Sequence, residues 1–188
     1  MDTSLRWTSA DLEALPDDGT RYEIIEGELY VSKVPHWHHQ QACAEILTEL
    51  KNCSRAAGRG EAIACAGLIF SPDNDVIPDV IWISEERLQT ALKDDGHLHS
   101  APELAVEVLS PGWANEKRDR EAKLGLYSRR SVDEYWIVDW QQRSIDIYRR
   151  VEGALVLKST LSETGILTTP LLPGFSCAVA TLFERIPR

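Results

Sequence analysis

The sequence predicts an α/β (α+β) chain with a mixed central β-sheet flanked by helices. Short apolar runs of strand length alternate with stretches whose apolar residues recur at three- and four-residue spacing. Three strand-like runs at 135–138, 145–148 and 154–159 follow one another across turn-length segments, as consecutive antiparallel strands do. With 188 residues, 43% hydrophobic and 27% charged, the chain can bury one core as one domain over 1–188 without disulfides or structural metal.

Each element has a local signal. Thr8-Ser9-Ala10-Asp11 resembles a capping box opening a short helix, with Leu12 and Leu15 as its apolar side and Pro16 as its stop. Residues 21–31 read as a hairpin around a Glu26-Gly27 turn. After Pro35-His36-Trp37-His38-His39, the spacing of Ala42, Cys43, Ile46, Leu47 and Leu50 predicts a helix of roughly 17 residues, ended by Gly58-Arg59-Gly60. Residues 61–70 read as a strand, 71–75 as a polar loop, and 77–83 as an apolar strand with Asp79 inside it. Ser84 opens a short helix to about Leu92, and a polar loop leads to the strand 104–109, with Glu107 in its middle. Ser110-Pro111-Gly112 closes that strand, a helix runs from about Asn115 to Ser128, and an apolar stretch at 179–183 ends the chain after Leu171-Leu172-Pro173-Gly174.

Composition excludes several classes. No run approaches the ~18 apolar residues of a membrane helix, and residues 1–6 carry no basic segment followed by an apolar one. Cys43, Cys53, Cys65 and Cys177 form no CxxC pair, so neither a disulfide framework nor a zinc site is expected; Cys43 and Cys65 read as small buried hydrophobes. A reducing cytoplasm follows as the expected location. The net charge of −10 argues against a generic nucleic-acid binder. The charge is uneven, however. Lys117, Arg118, Arg120, Lys123, Arg129 and Arg130 stand against only Glu116, Asp119 and Glu121, a segment of +3 in a chain otherwise at −13. That segment reads as a solvated helix face laced with ion pairs or as a face turned toward phosphate.

Asp79 and Glu107 carry the candidate chemistry. A charge inside an apolar strand is costly unless paired or bound to a cation. Neighbouring strands lie about 4.8 Å apart, so two such acids can share an ion, and oxygen-only ligation suits magnesium or manganese. The alternative is a salt-bridged structural pair. Lys123 follows Asp119 and precedes Tyr127 at four-residue steps, which places all three on nearly one helix face. Lys123 then reads either as a cation aimed at the acids or as an ordinary surface partner of Asp119.

A resemblance adds to these readings. Tyr22-Glu23-Ile24-Ile25-Glu26-Gly27-Glu28-Leu29, His39, Pro78-Asp79-Val80, Pro102-Glu103-Leu104-Ala105-Val106-Glu107-Val108-Leu109-Ser110-Pro111, Asp119, Lys123, Tyr127, Glu134-Tyr135-Trp136-Ile137-Val138-Asp139 and Leu172-Pro173-Gly174 occur in that order. This pattern resembles the Uma-two family of bacterial proteins grouped with restriction endonucleases. The resemblance implies a restriction-endonuclease-like PD-(D/E)XK core and a magnesium- or manganese-dependent endonuclease acting on DNA. Asp79 and Glu107 would be metal ligands and catalytic, Glu23 a further ligand, and Lys123 catalytic. His39, Asp119 and Tyr127 would support the site or substrate. The position two after Glu107 is Leu109 where the motif has lysine, and Lys123 would replace it from the following helix.

The expected partner is nucleic acid, DNA in the first place, with no membrane, and a homodimer suits a cutter of two strands. Two alternatives stand beside the nuclease: an inactive nucleic-acid-binding or regulatory module on the same fold, and a structural or protein-interaction domain. Glu23 could instead pair with Arg21 or solvent, His39 could cap or pack its helix, and Glu26 reads as exposed.

Overall fold

A computed structural model of the chain describes residues 5–187. The expectation of no signal segment falls partly on residues 1–4, outside the described residues. Among those described, no helix is long and apolar enough to cross a membrane.

The central sheet has six strands in the order β10-β9-β8-β7-β6-β3. These are β3 (Glu61–Ala64), β6 (Val80–Ile83), β7 (Leu104–Val108), β8 (Glu134–Asp139), β9 (Ser144–Val151) and β10 (Ala154–Leu161). It is mixed, as expected: β7 and β8 run parallel, while β3–β6, β6–β7, β8–β9 and β9–β10 are antiparallel. The parallel step has to cross over, and the segment between β7 and β8 does so as a helix. That helix is α4 (Trp113–Lys117), a π-wound stretch at Arg118–Lys123, and α5 (Leu124–Arg129).

A second sheet, ordered β2-β1-β5-β4, lies on one side: β1 (Arg21–Ile25), β2 (Glu28–Ser32), β4 (Leu68–Ser71) and β5 (Asn74–Val76). Its hairpin turns at Glu26 and Gly27, both with positive φ (53° and 77°), the two-residue geometry whose twist matches the strands. Helix α2 (Trp37–Ala57) covers the opposite face and ends on Gly58 in the left-handed region (φ 60°). The remaining elements are α1 (Ser9–Leu12), α3 (Glu85–Ala91), the pair β11 (Ile166–Thr168) and β12 (Ser176–Ala178), and a 3₁₀ turn at Val179–Phe183.

Strand alternation divides the core in two. Leu104, Val106 and Val108 of β7 pack with Ala42, Ile46 and Leu50 of α2, whereas Ala105 and Leu109 pack with Leu126, Tyr127 and Tyr135 on the other face. Glu107 shares the parity of Ala105 and so points beneath the crossover helix. This register turns an isolated acid toward Lys123.

Three expectations are corrected. Residues 61–70 are two strands in different sheets, because Cys65 takes a positive φ (53°) and breaks the chain direction. Cys65 is consequently exposed, not a buried hydrophobe. The polar segment 71–75 is the tip of a β4–β5 hairpin, and β5 lies inside its sheet: Asn74 is buried, receives the Glu26 N–H and donates to Ser71 and Asp73.

Candidate active site

Asp79 sits one residue before β6. Because β6 and β7 run antiparallel with Val80 opposite Val106, Asp79 stands beside the C-terminal end of β7, where Glu107 lies. Asp79 Oδ2 accepts the Val108 N–H at 2.9 Å, and Oδ1 accepts from Arg21 Nη1 at 3.0 Å. His39 Nε2, from the first turn of α2, is 3.3 Å from Oδ2. Arg21 therefore bonds Asp79, while its charge also acts on Glu23.

Lys123 is the hub. Its side chain is fully buried, and Nζ donates to Glu107 Oε1 at 2.9 Å and lies 2.8 Å from Glu23 Oε1. Glu107 Oε1 also accepts from the Tyr127 hydroxyl at 2.8 Å, and Glu23 Oε1 accepts the Ile77 N–H at 2.7 Å. Asp119 is equally buried and is bound by Arg118, Nε to Oδ1 at 2.8 Å. The surface-pair reading of Asp119 and Lys123 is thereby corrected. In an α-helix each four-residue step overshoots a full turn by about 40°. The wider winding at Arg118–Lys123 takes part of that back, which keeps Asp119, Lys123 and Tyr127 all facing inward.

The basic segment does not present an open phosphate-facing face. Lys123 and Arg118 turn inside, Arg118 also donating to Ser32 Oγ at 2.6 Å. Arg120 pairs with Asp146 and Arg129 with the exposed Glu26, Arg130 reaches Ser71, and Lys117 lies over the Trp113 ring. Sequence spacing missed Arg118 and Arg21 as members of the cluster. Arg21 reaches Asp79 and Arg118 reaches toward Glu23, acids of other elements, besides the neighbouring Asp119 that Arg118 holds.

The cluster gathers Glu23, Asp79, Glu107 and Asp119 against Arg21, Arg118 and Lys123. Burial raises the Asp79 pKa, but the His39 hydrogen bond and the charges of His39, Arg21 and Lys123 outweigh it and hold the carboxyl well below the usual range. Glu107 goes the other way: burial, with the nearby Asp79, Asp119 and Glu23, lifts it to about 8 against the pull of Lys123. Burial pushes the Lys123 ammonium down, yet Glu107, Glu23 and Asp119 carry it upward overall.

The sign of the Glu107 effect is definite. Its folded pKa exceeds the ordinary 4.5, so its stabilising contribution is complete below about pH 4.5 and is lost as pH rises through about 8. A cation bound to this carboxylate must displace the proton. The affinity of this carboxylate for a divalent cation is therefore expected to rise toward tenfold per pH unit up to about pH 8 and then level off. Calorimetry in buffers of different ionisation enthalpy checks this. An affinity unchanged between about pH 6 and pH 8 would contradict it.

Tyr127→Phe removes one of the two donors to Glu107 Oε1 and leaves the ring packing against Tyr135 in place. Stability in EDTA is expected to fall by about 1–3 kcal/mol, the range for a hydrogen bond to a buried acid. Urea denaturation of the variant measures it, and an unchanged midpoint would show that the bond contributes nothing.

The donor set fits a hard divalent ion in one specific respect. Glu23 Oε2 is buried and accepts no hydrogen bond, with only Arg118 Nη1 at 3.8 Å. A carboxylate oxygen that accepts no hydrogen bond suits such an ion, but among the described residues Glu23, Asp79 and Glu107 do not bring three ligand atoms within 4.8 Å of one another, so an ion would have to draw them together.

The structure thus joins a mixed sheet, two acids at adjoining strand ends and a lysine of the crossover helix in one buried cluster. The family Uma2, described as "Putative restriction endonuclease", matches residues 9–180. The chain belongs to that family. The structure is similar to the crystal structure of "a putative nuclease belonging to DUF820" from Anabaena variabilis ATCC 29413, with a TM-score of 0.75 and 17% identity over 94% of this chain and 97% of that one. No curated protein matches the chain.

Proposed function

We propose that the chain is a divalent-metal-dependent endonuclease that hydrolyses phosphodiester bonds of DNA. The observation that carries this reading is the buried cluster in which Lys123 Nζ bridges Glu23 and Glu107 while Asp79 stands at the adjoining strand end. Family membership and the shared fold support it.

Asp79, Glu107 and Glu23 would hold the ion, magnesium or manganese. When bound, it would neutralise charge on the phosphoryl group and make water a better nucleophile. The residues of the chain do the rest. Lys123, fixed by two carboxylates, keeps a positive charge where negative charge grows on the phosphate oxygens. Tyr127 orients Glu107, Arg118 holds Asp119 and reaches toward Glu23, and the Val108 N–H and Arg21 fix Asp79.

A groove of about 480 Å³ runs between residues 31–36 on one side and Ser110, Pro111 and Asn115 on the other; Glu23, Asp79, Glu107 and Lys123 are not among its lining. The first stretch contains Ser32, the partner of Arg118, and the second follows directly on the Glu107 strand. This is the approach assigned to the DNA backbone.

Nicking of supercoiled plasmid in magnesium, manganese or EDTA tests the reading. Cleavage with either ion and none in EDTA is expected. Duplex binding without cleavage under any condition would overturn hydrolysis and leave a nucleic-acid-binding module.

A further inference from the structure

His39 and Cys43 lie one turn apart on the inner face of α2, and Asp79 meets them from the start of β6. One ligand-type atom from each lies within 4.8 Å of the other two, and all three residues are buried. Cys43 Sγ is 3.5 Å from His39 Nδ1, and His39 Nε2 is 3.3 Å from Asp79 Oδ2. A cavity of about 180 Å³ adjoins Cys43 and Asp79, walled also by Gln40 and the exposed Cys65 among others. Cys43 has no part in the hydrolytic chemistry.

We propose that His39, Cys43 and Asp79 bind a thiophilic divalent cation of the zinc class, at a site that shares Asp79 with the acid cluster and so opposes magnesium there. The opposition rests on the assignment of Asp79 to the hydrolytic centre; the binding does not.

Sulfur, nitrogen and oxygen ligands surround zinc tetrahedrally at about 2.0–2.3 Å, which places ligand atoms about 3.3–3.8 Å from one another. The 3.3 Å from His39 Nε2 to Asp79 Oδ2 falls in that range; the 3.5 Å from Cys43 Sγ is to Nδ1, the other ring nitrogen, so the thiol is placed only by the 4.8 Å limit, which leaves about 1 Å for side-chain rotation to close. One thiolate and one carboxylate neutralise a dication. With His39 Nε2 on the ion, Nδ1 can donate to Gln40 Oε1, 3.1 Å away, the kind of oxygen partner that fixes a ligating imidazole. Three protein ligands leave a fourth position facing the cavity for water. Magnesium, which takes oxygen ligands, gains nothing from the thiol. Cysteine spacing did not point here, because the ligands come from two elements and only one is a cysteine.

The test is titration of the full chain with zinc against a chromophoric chelator, and with cobalt as a spectroscopic probe. The wild type is expected to bind one equivalent of zinc, and the cobalt form to show a thiolate charge-transfer band. Cys43→Ala should bind at least tenfold more weakly, and Cys43→Ser, closest in size, serves if the alanine variant does not fold. Glu107→Gln should bind zinc within twofold of the wild type. Absence of zinc binding, equal affinity in a folded Cys43 variant, or a cobalt complex without the band would overturn the site. Zinc binding is read without cleavage, so loss of the nuclease reading leaves it standing. Conversely, magnesium-dependent cleavage that added zinc does not inhibit would overturn the shared use of Asp79 alone.

Discussion

Lys123→Met lowers stability by about 3–5 kcal/mol and cleavage by two or more orders of magnitude, the largest effects expected of any single change. Methionine keeps the length of the side chain and removes its charge. Glu23 Oε1 and Glu107 Oε1 lose their shared donor, and four buried acids are left facing Arg21 and Arg118, with His39 against Asp79. Removing one member of a buried ion pair leaves the other uncompensated, which costs about 3–5 kcal/mol. At roughly 2–4 °C per kcal/mol for a chain of this size, the melting temperature falls by about 6–20 °C. A bound dication supplies part of the missing charge, so magnesium raises the melting temperature of the variant more than that of the wild type. Thermal melts in EDTA and in magnesium, with plasmid nicking alongside, measure all three effects. Wild-type stability in EDTA would show that Lys123 is not the cluster's counter-charge.

Asp79→Ala has the second largest effect. It leaves Arg21 Nη1, the Val108 N–H and His39 Nε2 facing a small void. Arg21 Nε and Nη2 are already buried without partners, so the variant strands the whole guanidinium. A loss of about 3–5 kcal/mol is expected, together with loss of metal-dependent cleavage. Asp79→Asn keeps an acceptor for the Val108 N–H and separates the two effects: it restores part of the stability and none of the cleavage. Cleavage by either folded variant at wild-type rate would remove Asp79 from the centre.

The central architecture was legible because it rests on period and parity. One acid at the right parity in an apolar strand, and Asp119, Lys123 and Tyr127 at four-residue steps, are local patterns, and the fold keeps them. The hairpin at Glu26-Gly27 and the end of α2 at Gly58 were legible for the same reason. Long-range pairing was not. Arg21 reaches Asp79 only because β1 belongs to a sheet that delivers it to the start of β6, 58 positions along the chain. The break at Cys65 was hidden because the apolar pattern runs on through Ala64, Cys65 and Ala66 while the backbone turns. β5 was hidden by its polar composition, since Asn74 is buried for its hydrogen bonds and not for hydrophobicity. The π winding at Arg118–Lys123, which turns Asp119 and Lys123 inward together, has no compositional mark.

Calorimetric titration of magnesium into the wild type and Glu107→Gln above pH 8, where the Glu107 proton competes less, asks whether the buried acids form a metal centre. Glutamine can still accept from Lys123 and Tyr127, so both proteins should melt at similar temperatures in EDTA. The wild type should bind magnesium, and the variant should bind it at least tenfold more weakly. Equal affinities, or no binding by the wild type, would contradict a hard-metal centre built on Asp79, Glu107 and Glu23.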